Sequence, residues 1–76
     1  MAKIEVRSEI TGTVWQLKSK PGDRVESGDT LLVIESMKLE HAITAPRAAR
    51  LSGVAVALHQ QVSAQQLLVQ FEAAAA

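Results

Sequence analysis

Seventy-six residues leave room for one domain, and a chain without cysteine has neither disulfides nor thiolate metal ligands to stabilise it. Eight Lys and Arg residues balance eight Asp and Glu residues with no block of like charge, which argues against nucleic-acid or anionic-membrane partners held by bulk electrostatics. No apolar run approaches the length of a membrane span, so a soluble cytoplasmic protein is expected.

The first half of the chain alternates short strand patterns with turn residues. Residues 4–7 alternate apolar and polar, and residues 13–17 are rich in β-branched and aromatic side chains, so both predict strands. Turns are predicted at residues 20–23, which contain Pro-Gly-Asp, and at residues 27–29, which contain Gly-Asp. The continuous apolar run at residues 31–34 predicts a buried strand.

The second half has fewer turn residues but the same period of two. Strands are predicted over residues 39–44, ending at Ala45-Pro46, over residues 54–58 and over residues 67–71. The chain is therefore expected to be one all-β domain over residues 1–72, a small sandwich or barrel, followed by a frayed tail at residues 73–76.

An internal repeat supports this architecture. A shift of 37 residues superimposes Val14 on Leu51 and Leu31 on Leu68, among other apolar matches. Such a repeat predicts two similar half-domains related by an approximate two-fold axis, with their apolar faces packed together.

The segment most informative about function is the hexapeptide Glu35-Ser36-Met37-Lys38-Leu39-Glu40, which resembles the attachment motif of the biotin/lipoyl attachment domain family in its biotin-type form. The resemblance covers about residues 3–72. It also rests on Gly12, on residues 21–25 (Pro-Gly-Asp-Arg-Val), on Gly28 and on the Ala45-Pro46 step.

The resemblance implies a flattened barrel of two four-stranded antiparallel sheets, with Lys38 at a hairpin tip and biotin attached to it covalently. It implies that Glu35, Ser36, Met37 and Leu39 form the recognition motif around that lysine. The chain would then be a non-catalytic biotin carboxyl carrier, served by a biotin protein ligase, a biotin carboxylase and a carboxyltransferase, with an acyl-CoA as the expected acceptor. Met37 and Leu39 are expected to be exposed at the tip.

Two departures from the family pattern bear on structure. Gly12, Gly22 and Gly28 correspond in the repeat to Ala49, His59 and Gln65, so the turns of the second half are expected to be built differently or to be looser. There is also no insertion between the second and third predicted strands, so the protruding thumb of some carriers is absent and a small stand-alone carrier is the better match.

Two other functions remain open on the sequence. A lipoyl carrier shares the fold, but lipoyl motifs usually place Asp or another polar residue before the lysine and Ala after it, where this chain has Met37 and Leu39. An unmodified adaptor module is the third hypothesis. Independent catalysis and metal binding are not expected, since His41 and His59 lack metal-ligand spacing and no Ser-His-Asp arrangement exists.

Overall fold

A computed structural model describes residues 3–73, with side chains described for residues 3–72. These residues form eight β-strands, in chain order β1 (Lys3–Arg7), β2 (Gly12–Leu17), β3 (Arg24–Val25), β4 (Thr30–Ser36), β5 (Leu39–Thr44), β6 (Ala49–Val54), β7 (Gln61–Val62) and β8 (Leu67–Ala73). One sheet has the strand order β1-β8-β6-β3 and the other β5-β4-β2-β7. All pairs are antiparallel, so the fold that the resemblance implied is confirmed.

The core lies between the two sheets, where their inward-facing side chains meet. Strand β4 contributes four consecutive buried residues, 31–34, as expected for a strand with little solvent on either face. The largest fully buried apolar side chains are Phe71, Leu31, Leu32, Ile34, Leu51, Leu68, Val14 and Val69. Because pairs such as Val14 and Leu51 come from equivalent positions of the two halves, both halves contribute to one shared core.

The structure confirms the internal repeat and makes its offset visible in the strand boundaries. Adding 37 to the residue numbers of β2, β3 and β4 gives residues 49–54, 61–62 and 67–73, which are the bounds of β6, β7 and β8. Strand β1 corresponds in the same way to the last five residues of β5. The β4–β5 pair therefore has its counterpart in the β8–β1 pair, at the other end of the molecule.

The strand predicted over residues 54–58 is wrong beyond Val54. The sixth strand covers residues 49–54, and residues 55–60 form a connection that ends in a turn with His59 at a positive φ of 69°. The alternation of Ala and Val over residues 55–57 imitates a strand, but the equivalent first-half residues, 18–20, also form a connection. The two-residue strands β3 and β7 are too short to leave a periodic signal.

The second-half turns, which were expected to be built differently or to be looser, keep the hydrogen bonds of the first-half turns but form them with other residue types. In the first half, the Lys20 N–H donates to the Asp23 carboxylate at 3.0 Å, and in the second half the Ala57 N–H donates to the Gln60 side-chain oxygen at 2.9 Å. The reverse backbone bond, from residue 23 or 60 to the carbonyl of residue 20 or 57, is 3.1 Å long in both turns. A glutamine amide oxygen thus replaces the aspartate carboxylate.

The second pair of turns repeats this substitution. The Glu26 N–H donates to Asp29 at 2.8 Å, and the Ser63 N–H donates to the Gln66 side-chain oxygen at 3.0 Å. Gln65 takes a φ of 70° where the other half has glycine. Whether the second-half turns are looser stays a prediction.

The glycine at position 22 is expected to matter for its conformation rather than for its size. Its φ is +94°, and a Cβ added to it would meet nothing within 4 Å. Gly22→Val should lower the free energy of unfolding by about 1–3 kcal/mol, because a β-branched residue is strained at positive φ. Gly22→Asn should lower the free energy of unfolding by less, since asparagine tolerates the left-handed region better than valine does. Urea unfolding of the two variants checks this, and equal losses would contradict it.

Trp15 keeps 44% of its surface exposed and lies at a bulge of the β2–β4 pairing, between Val14 and Gln16. Its ring centroid is 6.3 Å from that of His59. The side chain therefore lies against the 55–60 connection instead of filling the core.

The C-terminal strand extends to Ala73, the first residue of the segment expected to be a frayed tail, where it pairs with Ala49. The rest of that segment, residues 74–76, lies outside the described residues. Within residues 3–73 the structure has no helix of the length and apolarity needed to cross a membrane.

Candidate functional site

The candidate site is the hairpin that joins β4 to β5 through a two-residue loop, Met37-Lys38. Ser36 pairs with Leu39 and Glu35 with Glu40, so the ladder continues to the last residue before the loop. Met37 and Lys38 have φ values of 53° and 66°, the left-handed conformation that a type I′ turn requires at both central positions.

The loop places two unsuitable residues in the left-handed region. Asn and Gly favour this turn, whereas for Met and Lys each left-handed residue costs about 1–2 kcal/mol. The surrounding ladder holds the loop in this conformation, and the hairpin tip that the resemblance implied is thereby confirmed. Backbone strain of this kind concentrates at functional sites.

The hairpin presents its tip to solvent. Met37 is 92% exposed and Leu39 64% exposed, and Lys38 is exposed between them. The predicted exposure of the two apolar neighbours is confirmed. A lysine amine is thus flanked by two flexible apolar side chains that another protein can contact.

Two carboxylates lie at the base of the tip, opposite each other across the strands. Glu35 on β4 is half-buried, and Glu40 on β5 is exposed. Within residues 3–72 the one ion pair joins Arg7 to Glu5, at 2.9 Å, so no carboxylate in that part of the chain holds Lys38. The hydrogen bond from Arg7 lowers the pKa of Glu5, which lies on β1 outside the hairpin.

The base of the hairpin is tied to the loop that precedes β2. The Ser36 hydroxyl donates to the Thr11 carbonyl at 2.9 Å, and the Thr11 hydroxyl accepts the Ala64 N–H at 3.3 Å. Gly12 follows, and a Cβ added there would lie 2.5 Å from the Glu35 carbonyl oxygen. Ser36 and Gly12 were singled out from the sequence, but Thr11 was not, because a backbone acceptor leaves no signal in residue type.

No group of three or more His, Asp or Glu side chains in residues 3–73 is arranged to hold a metal ion. His41 lies half-buried on β5, whereas His59 lies in a turn of the second half. What the hairpin offers chemically is one accessible amine on a rigid two-stranded support, suited to carry an acyl group as an amide.

A sequence model of the family described as "Biotin-requiring enzyme" matches residues 3–71. The mitochondrial methylcrotonoyl-CoA carboxylase subunit alpha of Mus musculus is 41% identical over 63 residues, which are 83% of this chain and 9% of that protein. The biotinylated protein TB7.3 homolog of Mycobacterium leprae is 34% identical over 64 residues, covering 84% of this chain and 90% of that protein. The chain thus spans about a tenth of the carboxylase subunit but most of the small mycobacterial protein.

Solved structures show the same likeness. A single-chain, multi-domain long-chain acyl-CoA carboxylase superimposes with a TM-score of 0.89 at 30% identity, over 95% of this chain and 7% of that one. The lipoyl domain of the 2-oxoglutarate dehydrogenase complex from Azotobacter vinelandii superimposes with a TM-score of 0.80 at 20% identity, over 93% of this chain and 99% of that one. At 20% identity, the second likeness concerns the fold alone.

Proposed function

The chain belongs to the biotin/lipoyl attachment family, and on that basis we propose that it is a biotin carboxyl carrier in which Lys38 holds biotin as an amide on Nζ. Domains of this type carry a cofactor for carboxylases and are not catalytic themselves. The observation that carries the proposal is the exposed tip, where Lys38 lies between Met37 and Leu39 in a strained two-residue turn.

The residues present fit a covalently held biotin. The Lys38 side chain is exposed, and no carboxylate of residues 3–72 forms an ion pair with it, so forming the amide breaks no ion pair in that part of the chain. Amide formation removes one positive charge, which leaves seven Lys and Arg residues against eight Asp and Glu residues. When bound, biotin supplies a ureido nitrogen that accepts and releases a carboxyl group.

The chain's own residues position and present the lysine. The Ser36–Thr11 hydrogen bond and the β4–β5 ladder hold the hairpin, while Met37 and Leu39 offer apolar contacts to a biotin protein ligase. The Lys38 amine is nucleophilic only when unprotonated, so a base on the ligase takes its proton. Glu35 and Glu40 contribute negative charge beside the tip.

The partners follow from the carrier role. A biotin carboxylase loads the carboxyl group and a carboxyltransferase delivers it, with an acyl-CoA as the acceptor. Tethering keeps the transferred group at high effective concentration near both active sites. The relative from Mus musculus is a carboxylase subunit much longer than this chain, which supports placing both activities outside residues 1–76.

A lipoyl carrier is the second candidate, because a lipoyl domain has the same fold. Met37 and Leu39 beside the lysine weigh against it. An unmodified adaptor has no comparable support, because an adaptor has no need for a strained lysine tip.

Intact-mass spectrometry after co-expression with a biotin ligase, and separately with a lipoate ligase, tests the cofactor. We expect a single biotinyl addition in the first sample and unmodified protein in the second. A protein that takes lipoate and never biotin would make the lipoyl carrier the better function. Protein unmodified in both samples would favour the adaptor.

A further inference from the structure

Two arginines face each other on neighbouring strands, away from the attachment hairpin. Arg24 on β3 is the direct cross-strand partner of Arg50 on β6, and both are exposed. Side chains at such positions lie on the same face of the sheet, and like charges placed directly opposite repel each other. The pair therefore needs an explanation other than strand pairing.

Neither arginine forms an ion pair with a carboxylate of residues 3–72. Among residues 3–72 the one ion pair is between Arg7 and Glu5. Glu72 neighbours Arg50 from β8, yet its carboxylate lies more than 4.0 Å from the guanidinium. No hydrogen bond within residues 3–72 engages either guanidinium, so their donors remain available to a ligand.

A surface depression of about 290 Å³ is lined by Gly22, Ala49 and the two arginines. Two backbone N–H groups beside it are already used: that of Gly22 donates to the Leu51 carbonyl, and that of Leu51 donates to the Asp23 carbonyl. The two guanidinium groups are the charged donors that line the depression. Their planar fork matches carboxylates in pairs of parallel hydrogen bonds.

The internal repeat shows that the fold does not require these arginines. The residues 37 positions away are Gln61 for Arg24 and Thr13 for Arg50, and they form the equivalent β7–β2 pair without any charge. Of the two equivalent strand pairs, only β3–β6 therefore carries this pair of positive charges.

The arginine pair lies at the end of the barrel opposite Lys38. Thr13 pairs with Glu35, one step from the attachment loop, whereas Arg50 pairs with Glu72, which itself pairs with Lys3. The Ser36–Thr11 hydrogen bond places the loop after β1 beside the tip, so Lys3 at the start of β1 marks the far end.

We propose that Arg24 and Arg50 form a docking site for an acidic segment of a partner protein, which grips the domain at this end. Each guanidinium donates hydrogen bonds to a carboxylate of the segment, and the depression between them admits the segment's backbone. A partner bound here leaves the Met37-Lys38 tip free to enter an active site. The inference does not depend on which cofactor Lys38 carries.

A titration of ¹⁵N-labelled protein with a synthetic peptide of alternating glutamate and serine tests the proposal. We expect amide shifts confined to the residues around the depression. The variant Arg24→Gln/Arg50→Thr, which copies the other half, should bind the peptide about fivefold or more weakly. The control Lys18→Gln/Lys20→Gln, with the same change of charge near a different depression, should bind less than about twofold more weakly, as expected for screened surface charge.

Further measurements separate docking from other roles. The charge-conserving variant Arg24→Lys/Arg50→Lys should bind with intermediate strength, because lysine lacks the fork. The melting temperature of Arg24→Gln/Arg50→Thr should equal or exceed that of the wild type. A lower value would make the arginines structural and overturn the proposal. The proposal would also be overturned if Lys18→Gln/Lys20→Gln weakened peptide binding as much as Arg24→Gln/Arg50→Thr does. The same holds if inorganic phosphate bound more tightly than the peptide.

Discussion

Lys38→Arg is expected to abolish biotin attachment completely while leaving the domain folded. Arginine keeps the positive charge, but its guanidinium stays protonated and cannot attack an activated acyl group. The side chain is exposed at a hairpin tip, so we expect a change in unfolding free energy within about 0.5 kcal/mol. An avidin blot after co-expression with a biotin ligase measures attachment, and a thermal melt measures stability.

The three other lysines supply the controls for that experiment. Lys3, Lys18 and Lys20 lie outside the hairpin, and Lys20→Arg should be biotinylated like the wild type. On isoelectric focusing, modified wild-type protein should be more acidic than unmodified protein by one charge, and Lys38→Arg should show a single band. Biotin remaining on Lys38→Arg would assign the attachment to another residue.

Gly12→Ala adds a single methyl group, and we expect it to be the most damaging of the glycine-to-alanine substitutions. The added Cβ would lie 2.5 Å from the Glu35 carbonyl oxygen and 2.8 Å from the Ile34 Cγ2. The carbonyl oxygen belongs to the backbone, so it cannot rotate away from the new methyl group as a side chain can. We expect a loss of about 1–3 kcal/mol, as for other overpacked sites. For a domain of this size that is a large share of the roughly 4–11 kcal/mol available. Urea unfolding measures the loss.

Gly53→Ala is the matched control, since Gly53 lies on β6, the strand of the second half that corresponds to β2. Its added Cβ would meet only the Gln70 side-chain oxygen, at 3.9 Å, and its φ is not in the left-handed region. Its unfolding free energy should therefore change by less than about 0.5 kcal/mol or rise slightly. Similar losses in both alanine variants would show that close contact at Glu35 is not the cause.

Sequence reasoning succeeded where a local pattern had one structural meaning. The Pro21-Gly22-Asp23 turn, the buried run at residues 31–34 and the 37-residue repeat all correspond to features of the structure. It failed over residues 54–58, because alternating small apolar residues fit a strand and a partly buried connection equally well. It also failed at Gln60 and Gln66, whose side-chain oxygens perform the role of aspartate in the first-half turns.

At the candidate site, too, some features could be predicted from the sequence and others could not. The tip at Lys38 followed from the resemblance of its motif to the attachment motif, since Met37 and Lys38 alone are a weak turn signal without Gly, Asn or Pro. The exposure of Met37 and Leu39 was expected from that position at the tip. The contact of Ser36 with the Thr11 carbonyl and the facing of Arg24 and Arg50 depend on register between distant strands. Register is set by bulges and turn geometry, which a single sequence does not reveal.

The pairing of β8 with β1 has a consequence for engineering. Glu72 faces Lys3 as Glu35 faces Glu40, but in this second ladder no loop joins the two strands. A two-residue Met-Lys linker that replaces residues 74–76 and Met1, and so joins Ala73 to Ala2, would create a circular chain with a second lysine tip. Opening such a circle within the connection at residues 55–60 would give a permuted domain that keeps every ladder and presents a lysine tip at each end.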